Sequence, residues 1–244
     1  KPPFFLGKNF GLRIIGGNIA SDGQFPWDVA IYVYKSDGMF FCGGALIYLK
    51  WVLTAGRCVD GADSFTLSLG SNSLVNVDSH RIIVEAAYSV VHPDYNSITQ
   101  ENDIGLIRID TPIETSAYIQ TIPLAKDALE SDLPVTISGW GSTNAGGFSY
   151  DLSYLDLTTI SNIECTSKTG ESISDQLVCA VGSNSQGTCT GDGGSPLVAR
   201  DNAGTTIHVG VASWASASGC QTRQPSRYIR TAKFNDWIQS VIKE

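Results

Sequence analysis

Six cysteines and three histidines are the side chains of this 244-residue sequence most able to do chemistry. Cys42, Cys58, Cys165, Cys179, Cys189 and Cys220 form no C-x-x-C pair, and none stands at metal-ligand spacing from His80, His92 or His208. An even count without a metal pattern points to disulfides, and so to an oxidising compartment outside the cell. No signal peptide heads the sequence, so one is expected to have been removed. Spacing alone leaves all fifteen pairings of six cysteines open.

The elements that must hold these side chains read as strands. Short apolar runs follow one another, among them Val29 to Tyr34, Ala45 to Leu49, Phe65 to Leu69, Arg81 to Glu85, Ile104 to Ile109, Val135 to Ser138, Leu197 to Ala199 and His208 to Ser213. Turn signals such as SDG at 36–38 and NAGG at 144–147 separate them. Only the end departs from this pattern, where Phe234, Trp237, Ile238, Val241 and Ile242 recur at helical spacing and predict one amphipathic helix. With 25 glycines and 42% hydrophobic residues, the chain is expected to be an all-β barrel or sandwich, large enough for one big domain or two joined ones.

Charge excludes some functions. A net charge of -8 and a pI near 4.8, with no basic run, argue against nucleic acid as a partner. The longest apolar stretches fall far short of the roughly 20 residues that span a bilayer, so no membrane partner is expected.

Several segments taken together, in a fixed order, resemble the chymotrypsin-like serine proteases. They are RIIGG at 13–17, CGGALI at 42–47, WVLTAGRC at 51–58, NDIGLIRI at 102–109, SGWG at 138–141, CTGDGGSPL at 189–197 and SWASASGC at 213–220. The resemblance covers Ile14 to Glu244. It implies two six-stranded antiparallel Greek-key β-barrels with a functional cleft between them and a C-terminal α-helix. Barrels of roughly 14–120 and 121–233 would be joined near Gln120 to Leu124, with the helix at 234–244. It also implies the pairs Cys42 with Cys58, Cys165 with Cys179, and Cys189 with Cys220. Residues 1–13 would be a removable propeptide: Arg13-Ile14 is similar to a trypsin-type processing site, and the new Ile14 amine would pair with Asp192. Phe40 stands where several zymogens of the family place a histidine that holds this aspartate.

The implied chemistry needs a hydroxyl nucleophile, an imidazole that takes its proton and returns it to the leaving group, and a carboxylate that orients the imidazole. The family's T-A-A-H-C stands here as Thr54-Ala55-Gly56-Arg57-Cys58, which puts Arg57 in the place of the general base. A guanidinium stays protonated and has no acceptor lone pair. G-D-S-G-G-P stands as Gly191-Asp192-Gly193-Gly194-Ser195-Pro196, with Gly193 in the nucleophile slot. Asp103 matches the orienting carboxylate, and a charge-assisted pair with Arg57 is expected in place of the usual His to Asp pair. His80, His92 and His208 are read as loop or strand residues.

The sequence therefore predicts a secreted homologue that is not an enzyme and acts by binding or regulation. Its partner would be a protein or peptide: a protease, an inhibitor or a target protein. The alternative is a weak serine-type hydrolase with a displaced nucleophile, Ser195 or Thr190. Oxyanion-hole donors would come from the backbone at Gly191 and Gly193. Gly187 would floor the substrate pocket, with Ser213, Trp214, Ala215 and Ser226 as walls, and the Cβ atoms of Ala215 and Ser226 would narrow it. Asp78 and Glu85 are the only acids between Leu69 and Glu85, so no calcium, other metal or cofactor is expected. Three disulfides, RIIGG and GQFPW resemble invertebrate, insect-type digestive members most, which suggests the gut lumen.

Overall fold

β2 (Asp28–Lys35) shows how alternation in the sequence becomes a two-sided strand. Val29, Ile31 and Val33 are buried in one core, while Ala30 faces the other way into a second cluster with Trp140 and Leu152. The Ser36-Asp37 turn sets Lys35 opposite Gly38 and returns the chain as β3 (Gly38–Tyr48). The computed structural model describes residues 17–76, 78–141, 149–183, 192–214 and 224–243, the side chain of Trp214 excepted.

The first sheet adds β4 (Trp51–Thr54), β5 (Ser64–Leu69), β6 (Ile82–Ala86), β7 (Tyr88–Val91) and β8 (Gly105–Arg108), in the order β6-β5-β2-β3-β4-β8-β7. Only Ala87 separates β6 from β7, and each pairs with an opposite end of the sheet, so the sheet closes on itself as a barrel. The second sheet holds β1 (Asn18–Ile19), β9 (Pro134–Gly139), β10 (Ser153–Ile160), β11 (Leu177–Val181), β12 (Pro196–Arg200), β13 (Thr206–Trp214) and β14 (Ser226–Arg230). Its order is β1-β10-β11-β14-β13-β12-β9, and pairing of β9 with β10 closes a second ring. The two barrels are the architecture expected from the sequence. β1 is a difference of detail: Asn18 and Ile19 belong to the stretch assigned to the first barrel, yet they pair with Tyr154 and Ser153 of the second.

The barrels meet through side chains of both. Val198, Val211 and Ile229 from the second pack into the cluster that fills the first. The connecting segment is fixed by backbone bonds from Gln120 N to Pro26 O, Ile122 N to Leu46 O and Ala125 N to His208 O. α3 (Asn235–Ile242) follows a 3₁₀ turn at Thr231–Phe234 and lays Ile238 into the first-barrel cluster, with Trp237, Val241 and Ile242 packed beside it. That is the stripe expected from the sequence, shortened at its start because Phe234 belongs to the 3₁₀ turn.

Two further helices depart from the expectation of a single one. α1 (Gly56–Val59) is one turn long. α2 (Asn162–Thr169) starts where the Ser161 hydroxyl accepts from Glu164 N and ends at Gly170, whose φ of +74° places it in the left-handed region that glycine tolerates. Its only buried residue is Cys165. Disulfides join Cys42 to Cys58 and Cys165 to Cys179, over separations of 16 and 14 residues, a loop size for which chain entropy supplies about 3 kcal/mol each. The third expected pair, Cys189 with Cys220, lies outside the described residues. Among the described residues no helix is long and apolar enough to cross a membrane.

Candidate functional site

α1 carries Arg57 to the seam between the barrels, and Gly56 lets it come close. A Cβ on Gly56 would lie 3.0 Å from Ile104 N and 3.2 Å from both Ile104 O and Tyr95 Cδ2, a tighter fit than side chains ordinarily accept. That close approach sets the Arg57 backbone N–H 2.8 Å from Asp103 Oδ1. Asp103 is held by a turn in which Ile104 N donates to Asn102 O, with Asn102 itself at φ +54° and its amide donating to Asp94 O.

Asp103 is fully buried and has three donors. Arg57 N reaches Oδ1, and Arg57 Nη1 lies 2.5 Å from Oδ2. Ser213 Oγ, arriving from β13 of the other barrel, donates to the same Oδ2 at 2.7 Å. The ion pair expected between Arg57 and Asp103 is thus present, one-fork rather than bidentate, with the second oxygen shared by the serine. Ser213 was expected as a wall of the substrate pocket, and its hydroxyl completes the Asp103 cage, a contact the sequence did not indicate. Tyr95, beside Gly56, has its hydroxyl pushed up to about 12, by burial first and then by the Asp103 charge, against the opposing Arg57 charge.

The guanidinium stands over the nucleophile slot. A Cβ built on Gly193 falls 2.5 Å from Arg57 Nη2 and 3.1 Å from Nε, so the space a nucleophile side chain would start from belongs to Arg57. Gly193 O accepts from Gly43 N at 2.9 Å, locking this turn to β3. Gly194 follows at φ +86°, where a Cβ would overlap Thr54 Oγ1 and the Gly43 carbonyl. Ser195 is buried, with its Oγ against Gly43 and Gly139 and no hydrogen bond. The alternative that made Ser195 a nucleophile fails on this placement, because a substrate carbonyl cannot reach an oxygen packed behind the turn. Asp192 is also buried and accepts from Gly141 N at 2.9 Å.

Each of the three histidines is occupied elsewhere. His80 stacks on Tyr118 with ring centroids 3.6 Å apart. His92 packs against Phe234 and Trp237, and burial lowers its pKa. His208, read from sequence as a solvated strand position, is fully buried. Its Nδ1 is 2.8 Å from Thr231 Oγ1, and burial pushes its pKa down to about 3. Ser226 begins β14 and is buried, and the Trp214 backbone ends β13. Arg13, Ile14, Gly187, Thr190, Gly191 and Ala215 lie outside the described residues.

One neighbour of this cluster gave no signal in the sequence. Lys35 Nζ donates to the Arg57 and Asp60 carbonyls at 3.1 and 2.7 Å and lies 5.6 Å from the Phe40 ring centre. It therefore closes the far end of α1 with a positive charge.

Comparison with known proteins gives three findings. The family model described as Trypsin matches residues 14–238. The chain is 34% identical over 229 residues to brachyurin of Leptuca pugilator, covering 93% of this chain and 97% of that protein, and 31% identical over 240 residues to chymotrypsin-like elastase family member 1 of Bos taurus, covering 94% and 90%. The solved structure of HL collagenase superposes with a TM-score of 0.85 at 30% identity, covering 95% of this chain and 99% of that one. These findings overturn the expectation that the chain is not an enzyme, since its relatives along nearly their whole length are named as proteases. Physically, two replaced side chains do not by themselves remove catalysis: backbone donors and binding alone leave roughly 10³ to 10⁴-fold acceleration over water in a protease stripped of its triad.

Proposed function

From a chain that belongs to the chymotrypsin-like serine protease family, we infer a secreted member whose inter-barrel cleft binds a peptide or protein partner, such as a protease, an inhibitor or a target protein. The observation that carries this reading is the position of Arg57. Its guanidinium is fixed on Asp103, fills the space over Gly193, and remains 30% exposed at the cleft. The two disulfides support an extracellular setting. Release of residues 1–13 by a trypsin-type protease at Arg13, and residence in a gut lumen, belong to the same proposal.

A second reading, hydrolysis at this cleft, is favoured by the names of the relatives. One experiment addresses both. A pool of photo-crosslinking peptides is irradiated with the protein, the adducts are mapped, and the unbound peptides are weighed. Crosslinks on α1 and the Gly193 turn with intact peptides support binding. Crosslinks confined to other surfaces contradict it, and peptides shortened in proportion to protein concentration establish hydrolysis.

A further inference from the structure

The Arg57 guanidinium uses one nitrogen on Asp103 and leaves its other edge free. Nη1 makes the ion pair, while Nε and Nη2 make no hydrogen bond among the described residues. Those two nitrogens form a fork of parallel donors, the geometry that matches the two oxygens of a carboxylate. They also lie over Gly193, as the built Cβ at 2.5 and 3.1 Å shows.

Gly193 adds a third donor. Its neighbours in the turn spend their amides internally, Gly194 N on Ala212 O and Ser195 N on Asp192 O, whereas Gly193 N has no hydrogen-bond partner among the described residues. The residue is only partly buried, so this amide is within reach of a ligand. Asp103 is paired with Arg57 and accepts a hydrogen bond from Ser213, and Lys35 sits on the Arg57 carbonyl with no carboxylate within 4 Å among the described residues. The carboxyl group of Asp60, at the end of α1, makes no ion pair with either cation.

We propose that the Nε and Nη2 edge of Arg57, together with Gly193 N–H, holds a carboxylate of the bound peptide. This rests on the reading of the cleft as a peptide-binding site and specifies what the ligand must present. Two sources share the chemistry, a free C-terminal carboxylate and an acidic side chain. The protein as a whole carries a net charge of -8, so the local donors and not long-range attraction would hold an acidic ligand here.

Three pools of dye-labelled tetrapeptides separate the possibilities: mixed sequences with a free C-terminus, amidated sequences ending in Glu, and amidated sequences ending in Gln. Fluorescence anisotropy against the full chain should show one of the acidic pools binding about tenfold or more tighter than the Gln pool, as a charge-assisted pair requires. Which acidic pool wins identifies the source. In Arg57→His at pH 8, where a neutral imidazole still partners Asp103, the ratio of acidic-pool to Gln-pool affinity should fall to about one, the loss of the charge-assisted pair. Gly193→Ala, whose Cβ intrudes on Nη2, should lower the same affinity ratio. Equal binding of all three pools to the wild-type chain, or a preference that survives in both variants, overturns the carboxylate site and leaves the cleft reading standing. No binding by any pool overturns the cleft reading with it.

Discussion

Asp103 and Asp28 are both buried aspartates at the seam of the two barrels, each facing a serine of the opposite barrel, and the fold treats them in opposite ways. Asp103 receives Arg57 N, Arg57 Nη1 and Ser213 Oγ. Asp28 receives nothing: neither oxygen has a hydrogen bond, and Ser138 Oγ nearby is also unpaired. Burial pushes the Asp28 pKa up to about 8, against a smaller opposing pull from the Ser138 hydroxyl, which does not reach hydrogen-bond geometry. A carboxylate kept charged at a seam needs a cation and oriented donors, and without them it keeps its proton. The first region holds a charge beside the partly exposed Arg57, and the second excludes one.

The comparison breaks or holds first at Asp28. Folded Asp28 keeps its proton to about pH 8, whereas the unfolded chain releases it near 3.8. Between those values the unfolded state binds fewer protons, so stability falls as pH rises, by up to about 1.4 kcal/mol per pH unit, and levels off above pH 8. Asp28→Asn removes that slope. Its advantage over wild type in urea unfolding should be nil near pH 4 and reach several kcal/mol at pH 8. A constant difference across this range would mean that Asp28 is charged in the fold.

At Asp103 the expected sign is reversed. Arg57→Leu removes the cation and strands the carboxylate, so the variant should lose about 3 kcal/mol, the low end of the range for a broken buried pair because Arg57 is 30% exposed. Arg57→His should lose less. Loss under 1 kcal/mol for the leucine variant would show that Ser213 and the Arg57 amide suffice. A solvent-reachable hydrogen bond sets the baseline for both: Ser161→Ala, at the start of α2, should cost about 1 kcal/mol with no change in pH dependence.

The two regions also differ in how far the sequence reveals them. Arg57, Asp103 and Gly193 stand inside segments whose neighbours fix their place, so their meeting was expected. The bond from Ser213 to Asp103 was not legible, because only the arrival of β13 from the other barrel aims that hydroxyl at Asp103. Asp28 gave no warning. In DVAIYVYK it occupies an outward position of an alternating strand, and outward here means toward the second barrel rather than water. α2 carried legible caps in Ser161, Glu164 and Gly170, yet with only Cys165 buried and Ile163 85% exposed it lacks the apolar stripe that marks a helix. Most of both barrels was readable because each strand of β2 type keeps a strict inward face, whereas β10 and β14 alternate with Ser, Thr, Asp and Arg and merge with their turns.

The central claim is that Arg57 and Gly193 form one unit at the centre of the cleft, each occupying or vacating the space of the other. Intact-mass analysis after fluorophosphonate treatment tests it on four proteins: the wild type, Arg57→His, Gly193→Ser, and the double variant, each uncut and after trypsin cleavage at Arg13. The account predicts that the double variant gains one adduct over the wild type, because a serine there finds both a base and room, and that Gly193→Ser alone gains none. A stoichiometric gain in Gly193→Ser with Arg57 kept, or no gain in the double variant, would contradict it.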